Sequence, residues 1–525
     1  MTATRNVLVL GDLAPEGVSR LRDAGLTVEV RPEPGAIDPS ALRGREALVV
    51  APGAPVTASM LAEGSALLVI GCAGVDTGAI DVVEATRRGI LVVHAPDSAL
   101  LSEAEHALAL VLAVARDLAG ADAALRRGDA GPHPGGGIEV RGKTLGLLGA
   151  RPSSSLLAER ARALGMNVLA CEPGAPAGSA AAALECIPPE QVLTQADVLV
   201  VQTPSEAPAL FGAGELAQLR AGARLVSPCT PGAVELGALA AALADGRVAG
   251  AAVAVDPAEP LAAAVLEAPR LLLTSPAESS TADARVRAAV SAADQVVAAL
   301  DGRLLRGAVN VPAASGEDVD ELMPYMDLCA RLGRLLVQLA GEPVDAVEIT
   351  YGGSIAYYDT RLLTLGVLGG LLAGRAAGPV NFVNAELVAE ELGVSTLEVR
   401  EPAVPDFPRL ITVAVAGTDG RMSVSGTSLG SQHKQRLVRV FGEDVDIEPA
   451  AHMAFLRYVD APGIGGRVGT LLGEWGVNIG HMSVGRGKLG DEAVMALTLD
   501  ESLTPAQTEQ LVAGCGLAYA RTAEL

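Results

Sequence analysis

The sequence predicts an α/β protein with parallel sheets in its amino-terminal part, followed by a small α+β region and a compact tail. Three observations carry this. From Asn6 to Ala299, short β-rich runs alternate with helical ones at the spacing of parallel-sheet units. Past Pro312 the alternation gives way to a long amphipathic helix candidate and to strands with period-two patterning. From Ala450 the order strand, helix, two strands, helix, strand is that of a ferredoxin-like module.

In chain order, apolar runs at 7–10, 27–30, 47–50 and 67–70 read as strands, with a helix closed by Gly25 between the first two. A long helix begins near Ser102, a good N-cap with acids after it, and helices of this kind link two α/β lobes. Runs at 145–148, 167–170, 198–201, 224–226, 251–255 and 271–273 supply a second set of strands, and 283–299 reads as a helix. The segment 316–341 is an amphipathic helix candidate, and LITVAVAG and MSVSGTSLG are strands of a small α+β domain. In the tail, strands at 454–459, 477–484 and 493–499 surround a helix ending at Trp475, a Gly-rich hairpin and a helix opened by Thr504 with Gln507 as its capping-box partner.

Composition narrows the classes of function. Length allows about three or four domains. Half of the 525 residues are apolar but only 2% are aromatic, so the cores are built from Ala, Val and Leu. A net charge of −23 argues against nucleic acid or an anionic membrane as partner, since both need a basic face. The longest apolar run, between Arg361 and Arg375, is too short and Gly-rich for a bilayer span. With no signal-peptide pattern at its start, the chain is expected to be cytoplasmic. Six scattered cysteines without C-x-x-C spacing suggest core thiols, with no metal site and no disulfide framework.

The stretch 143–173, KTLGLLGARPSSSLLAERARALGMNVLACEP, is a βαβ opening. A dinucleotide-binding turn reads G-x-G-x-x-G, with one glycine for the turn, one for approach of a pyrophosphate, one for helix packing, and an acid some 20 residues on for the ribose. Here the turn runs from Gly149 through Arg151 to Ser154, so only the first glycine is present, while Glu172 stands at the ribose position. The Arg151 side chain starts where a pyrophosphate would approach, and Ser154 is small enough to pack. Binding of NAD is therefore doubtful, and removing the Arg151 side chain is expected to improve it.

The phrases 81–96, AEHALAL (104–110), RGKTLGLLG (141–149), GELAQLRAGARLV (214–226), YDTRLLTLGVLGGLLAG (358–374), VNFVNAELVAEELGV (380–394) and DAPGIGGRVGTLLGEWGVNIGHMSVGR (460–486) run in order from end to end. Through them the whole chain resembles the D-3-phosphoglycerate dehydrogenase family in its long, serine-regulated, four-domain form, within the D-isomer-specific 2-hydroxyacid dehydrogenases. The resemblance implies a flavodoxin-like substrate domain (1–97 and 288–317), a Rossmann-like nucleotide domain (98–287), an α+β intervening domain that binds anions (318–449) and an ACT regulatory domain (450–525). It also implies a serine-pathway oxidoreductase using NAD and assembling as a homo-oligomer, a dimer or tetramer.

Members of that family use a His as acid/base, a Glu that orients it and an Arg for the substrate carboxylate. Phrase by phrase, the Arg position falls on Thr230 and the His position on Pro276; the Glu is retained as Glu259, with Ala254 in place of an Asp five residues earlier. Proline has no titratable group, and threonine cannot form the bidentate pair with a carboxylate that arginine forms. Substrate contacts are replaced too, by Ala51, Cys72 and Ala99. His94 is a candidate substitute base; His106 matches a structural position. The resemblance further places Tyr458, Asp460 and Asn478 at an amino-acid effector site between two ACT domains, where serine or a similar amino acid would bind. His433, Lys434, Arg436 and Arg439, including one of only three lysines, form a candidate anion site. The expectation is a catalytically impaired or inactive paralogue that keeps oligomerisation and amino-acid sensing, alone or with an active paralogue. The alternative is an active dehydrogenase using displaced groups.

Overall fold

The computed structural model describes the chain except for residues 1–4, 33–37, 129–136, 150, 172–179, 182–183, 203–210, 230, 277–280, 304–306, 313–315, 342–343, 377, 405, 418–419, 431–432 and 487–491. The chain divides into two compact units, one of residues 95–289 and one of 1–94 with 290–525.

In the unit formed by both ends of the chain, five parallel strands (Asn6–Leu10, Thr27–Arg31, Ala47–Val50, Val69–Cys72, Leu91–Val93) lie in the order 2-1-3-4-5, counted along the chain. This is the flavodoxin-like arrangement, and its strands read as short continuous apolar runs because both faces are covered. The returning segment is pinned to the last strand by Asn310, whose side chain accepts from the Val92 N–H at 2.8 Å and donates to the Ile90 carbonyl at 2.9 Å.

Farther along, a six-stranded sheet has the order 2-1-3-4-5-6, with Ala346–Gly353 and Ser395–Glu401 parallel and the other pairs antiparallel. Helices Gly316–Ala340 and Arg361–Leu371 pack against each other over it. Their approach requires glycine: a Cβ on Gly333 would lie 2.1 Å from the Val367 carbonyl oxygen, and one on Gly370 would lie 1.9 Å from that of Ala330. The tail is a four-stranded antiparallel sheet in the order 4-1-3-2 with helices Ile464–Glu474 and Pro505–Cys515, the ferredoxin-like arrangement. Thr504 and Gln507 form the expected reciprocal capping box. Met453, Phe455, Val494 and Ala496 of the tail share one buried cluster with Val347, Ile349 and Leu437 of the preceding sheet. Each large buried side chain there contributes roughly 1.5 to 3 kcal/mol.

The unit of residues 95–289 holds six parallel strands: Thr144–Leu148, Asn167–Cys171, Val198–Val201, Ala223–Ser227, Val248–Ala254 and Leu271–Thr274. Their order is 2-1-3-4-5-6, so it reverses between the first and third strands. Ligands of open α/β sheets bind at such a reversal, outside the carboxyl ends of the strands. The linking helix starts two residues earlier than the sequence suggests: it is Leu100–Arg116, with Ala99 at the N-cap and Ser102 inside its first turn. Ser102 does not cap because its hydroxyl is engaged elsewhere, by Thr281 at 2.8 Å and by the Arg287 guanidinium at 3.3 Å. The helix stops at Asp117, which takes a left-handed conformation (φ 49°) before a second helix, Leu118–Arg126.

Gly149 ends the first strand of this sheet at φ +86°, and a Cβ there would lie 1.9 Å from the Gln202 carbonyl oxygen. Left-handed backbone and overpacking each cost about 1 to 3 kcal/mol. Gly149→Ala should therefore destabilise this unit by about 2 to 5 kcal/mol in chemical denaturation, and a loss below about 1 kcal/mol would contradict the geometry.

Candidate functional site

At the reversal point three strand ends meet the amino terminus of helix Pro152–Ala163. The Gln202 N–H donates to the Leu148 carbonyl at 2.8 Å, and the Gly149 N–H donates to that of Cys171 at 2.9 Å. The first glycine of the turn is thus required by the sheet itself, whatever binds beside it. Ser154, fully buried, donates from Oγ to Gln202 Oε1 at 2.5 Å, filling the space that a third glycine would leave open. Helix Pro152–Ala163 has no side-chain cap; Arg151 occupies the N-cap position and Pro152 is the first helical residue.

The Arg151 side chain lies across this turn and is held by Glu103, with Nη2 3.6 Å from Oε1. Glu103 is on the linking helix and is 8% exposed, and its other oxygen is buried without a hydrogen-bond partner. Ser153 Oγ, Gln202 Nε2 and Ser227 Oγ are buried and unpartnered as well. Cys229, just past the fourth strand, senses both charges: burial pushes its thiol up to about 11, Glu103 adds to the rise and Arg151 opposes it. Glu103 was not singled out in the sequence. Its signal was legible, however, since a helix of this phase places position 103 in the apolar stripe of Ala107, Leu110 and Val114.

The catalytic positions implied by the resemblance do not form an acid/base constellation among the described residues. Glu259 is exposed on the turn after Val248–Ala254, where its N–H donates to the Asp256 carbonyl at 3.1 Å. Pro276 is half-buried just beyond Leu271–Thr274. Thr230 and Glu172 lie outside the described residues. In the other unit, His94 is partly buried with Nδ1 3.0 Å from the Val75 carbonyl oxygen, so Nδ1 donates and Nε2 is left as the basic nitrogen. Cys72 is buried with its thiol pushed up to about 11 by burial and by Asp76. His106 is half-buried on the linking helix.

In the tail, Tyr458 is 3% exposed, its phenol pushed up by burial and by neighbouring Asp460. Asp460 pairs with Arg486 at 3.3 Å, a partner that the turn pattern did not reveal. Asn478 stands elsewhere. Strand register puts Val459 opposite Glu492 and Arg486 opposite Ala493, whereas Ile479 is opposite Leu499. Asn478 is thus at the far end of the sheet, bonded to Asp500 at 3.1 Å and separated from Asp460 by a strand length of roughly 23 Å. One copy of the chain does not bring the three residues together.

The basic cluster is also divided. Arg436 pairs with Asp446 at 3.6 Å and Arg439 with Asp444 at 2.8 Å, both partners coming from the adjacent strand Glu443–Ile447. His433 and Lys434 are exposed at the strand start, His433 in a left-handed conformation (φ 50°).

Burial of Cys229 predicts slow alkylation by iodoacetamide in the folded protein at neutral pH, because the thiolate is the reactive form. The rate should rise toward that of a free thiol only as pH approaches about 11. Labelling at neutral pH as fast as in denaturant would contradict this.

Residues 108–275 match the family described as D-isomer specific 2-hydroxyacid dehydrogenase, NAD binding domain, and residues 321–441 match the D-3-phosphoglycerate dehydrogenase intervening domain. The chain is 31% identical over 501 residues to D-3-phosphoglycerate dehydrogenase of Bacillus subtilis, covering 95% of each chain. It is 32% identical over 529 residues to that of Archaeoglobus fulgidus, covering 99% of this chain and 100% of the relative. For the Mycobacterium tuberculosis protein the identity is 34% over 505 residues, with 95% of each covered. Among solved structures, a D-lactate dehydrogenase from Treponema pallidum shares the fold of 58% of the chain at a TM-score of 0.51 and 20% identity, with all of that structure covered. On full-length similarity to these relatives, the chain belongs to the D-3-phosphoglycerate dehydrogenase family.

Proposed function

We propose that the chain is a catalytically impaired member of this family that has given up oxidation of 3-phosphoglycerate and keeps self-association and amino-acid sensing. The observation that carries this reading is the loss of the proton-transfer pair: proline stands at the His position, and the retained Glu259 is an exposed loop carboxylate with no histidine to orient. Losing a general base alone forfeits a factor of roughly 10² to 10⁴.

The turn at Gly149 does not suit the pyrophosphate of NAD. Two of its three glycine positions carry side chains, and a buried carboxylate, Glu103, stands beside the helix terminus whose N–H groups would receive the phosphates. With 3-phosphoglycerate and NAD, the purified protein should form NADH at well below about 1 s⁻¹, the low end of common turnover. A rate at or above that value would favour the alternative of displaced catalytic groups, with His94 Nε2 the first to test.

The tail supports the second half of the reading. Strand Ile479–Arg486 ends its own sheet among the described residues, but strand Glu443–Ile447 lies against its second half, where the Asp446 N–H donates to Ser483 Oγ at 2.9 Å and a Cβ on Gly485 would lie 2.2 Å from the Asp444 carbonyl oxygen; Met482 (37%) and Val459 beside the Asp460 turn (60%) remain exposed. A second copy that brings its Asn478 to the Asp460 turn and Tyr458 through these exposed residues would complete an amino-acid site that one copy lacks. A carboxylate, an amide and helix N–H groups suit the ammonium and carboxylate of serine or a close analogue.

Serine at about 100 times its Kd should then raise Tm by the equivalent of about 2.7 kcal/mol. Asp460→Ala and Asn478→Ala should each abolish the shift, and mixing the two variants should restore part of it, since a mixed dimer holds one intact site. Complete recovery of the response in either variant alone would place the site elsewhere, and indifference to a panel of amino acids would remove the sensing role.

A further inference from the structure

We infer that Glu103 is the residue that closes the nucleotide turn: its buried carboxylate takes the place of a phosphate as the partner of Arg151, and its neutralisation opens the site to a diphosphate. This rests on the proposal above that the turn no longer holds a dinucleotide, and it names the group responsible.

The geometry has three parts. Arg151 is the N-cap residue of the 12-residue helix Pro152–Ala163, at the carboxyl end of strand Thr144–Leu148, where an anion would meet free N–H groups and a favourable dipole. Its guanidinium is turned to Glu103 Oε1 at 3.6 Å. The second oxygen of Glu103, on a residue 92% buried, has no partner, and fully buried Ser153 in the first turn of the same helix also has an unpartnered hydroxyl. An acceptor and a donor left unsatisfied beside a helix terminus are the groups that a bound anion and its hydration would engage.

Glu103 cannot swing aside. It sits in the first turn of the linking helix, and that turn is tied down: Ser102 bonds Thr281 at 2.8 Å, and Arg287 donates to the Ser98 carbonyl at 3.1 Å and to Ser102 Oγ at 3.3 Å. A carboxylate so fixed repels an incoming phosphate and withholds the Arg151 guanidinium from it, both at reduced dielectric. The effect of Arg151 therefore differs from what its bulk suggests. Removing Arg151 leaves Glu103 buried and unpaired, which keeps the repulsion and adds an uncompensated charge. Replacing Glu103 by its neutral isostere frees the guanidinium for bidentate contact with phosphate oxygens.

The test compares binding of ADP and NADH to the full-length protein and its variants by calorimetry at fixed low salt. Glu103→Gln should bind both at least about tenfold more tightly than the native chain, the scale of one charge-assisted contact. Arg151→Gly should show no gain, and adding it to Glu103→Gln should remove the gain. Retention of the native melting profile by Glu103→Gln reports that the fold is intact. A gain in Arg151→Gly without one in Glu103→Gln would assign closure to the bulk of the guanidinium and overturn the inference. So would a Glu103→Gln protein that binds no better than the native one. Turnover of 3-phosphoglycerate is read separately: a native chain that is active but gains ADP affinity on Glu103→Gln refutes the impaired-enzyme reading and leaves the role of Glu103 standing.

Discussion

A carboxylate taken out of water has to be paired, and in this chain that requirement organises the most informative site. Glu103 is 8% exposed on a helix whose inward residues beyond the first turn are apolar, and among the described residues it pairs with Arg151, at the turn where a dinucleotide-binding fold would receive a pyrophosphate. The pair is stable because both members are present; deleting either exposes the desolvation cost of the other. A turn committed to neutralising its own acid has little left to offer a doubly charged ligand. The substitutions at the glycine positions and the acid on the linking helix are thus parts of one arrangement.

The same sheet shows which residues its packing requires. Gly149 persists because a Cβ there would collide with the Gln202 carbonyl, a constraint of the parallel sheet that is independent of any cofactor. Gly333 and Gly370 persist because two helices touch backbone to backbone. Residues fixed by packing differ in kind from positions that the resemblance assigns to proton transfer or substrate binding, such as 276 and 72, which carry proline and cysteine. Family membership follows from the first kind of residue, activity from the second.

Much of the fold was legible in the sequence. Short apolar runs marked the parallel strands because both faces of those sheets are covered, and the Thr504–Gln507 pattern marked a helix start because the cap is local. Features that depend on register or on distant partners were not legible. Ser102 looked like an N-cap, but its hydroxyl is engaged by Thr281 and Arg287. Arg436 and Arg439 looked like free cations, but the neighbouring strand supplies Asp446 and Asp444. Asp460 and Asn478 looked like members of one site, yet antiparallel pairing sends them to opposite ends of a sheet.

The tail and the preceding sheet share a single buried cluster and so form one body that extends well into the chain. The central claim is that this body no longer accompanies hydride chemistry. It is tested most directly by incubating the protein at high concentration with NADH deuterated at the transferable position and the 2-keto acid corresponding to 3-phosphoglycerate, then weighing the 2-hydroxy acid by mass spectrometry. No deuterium above a protein-free control is the predicted result, and stereospecific transfer of label would contradict it.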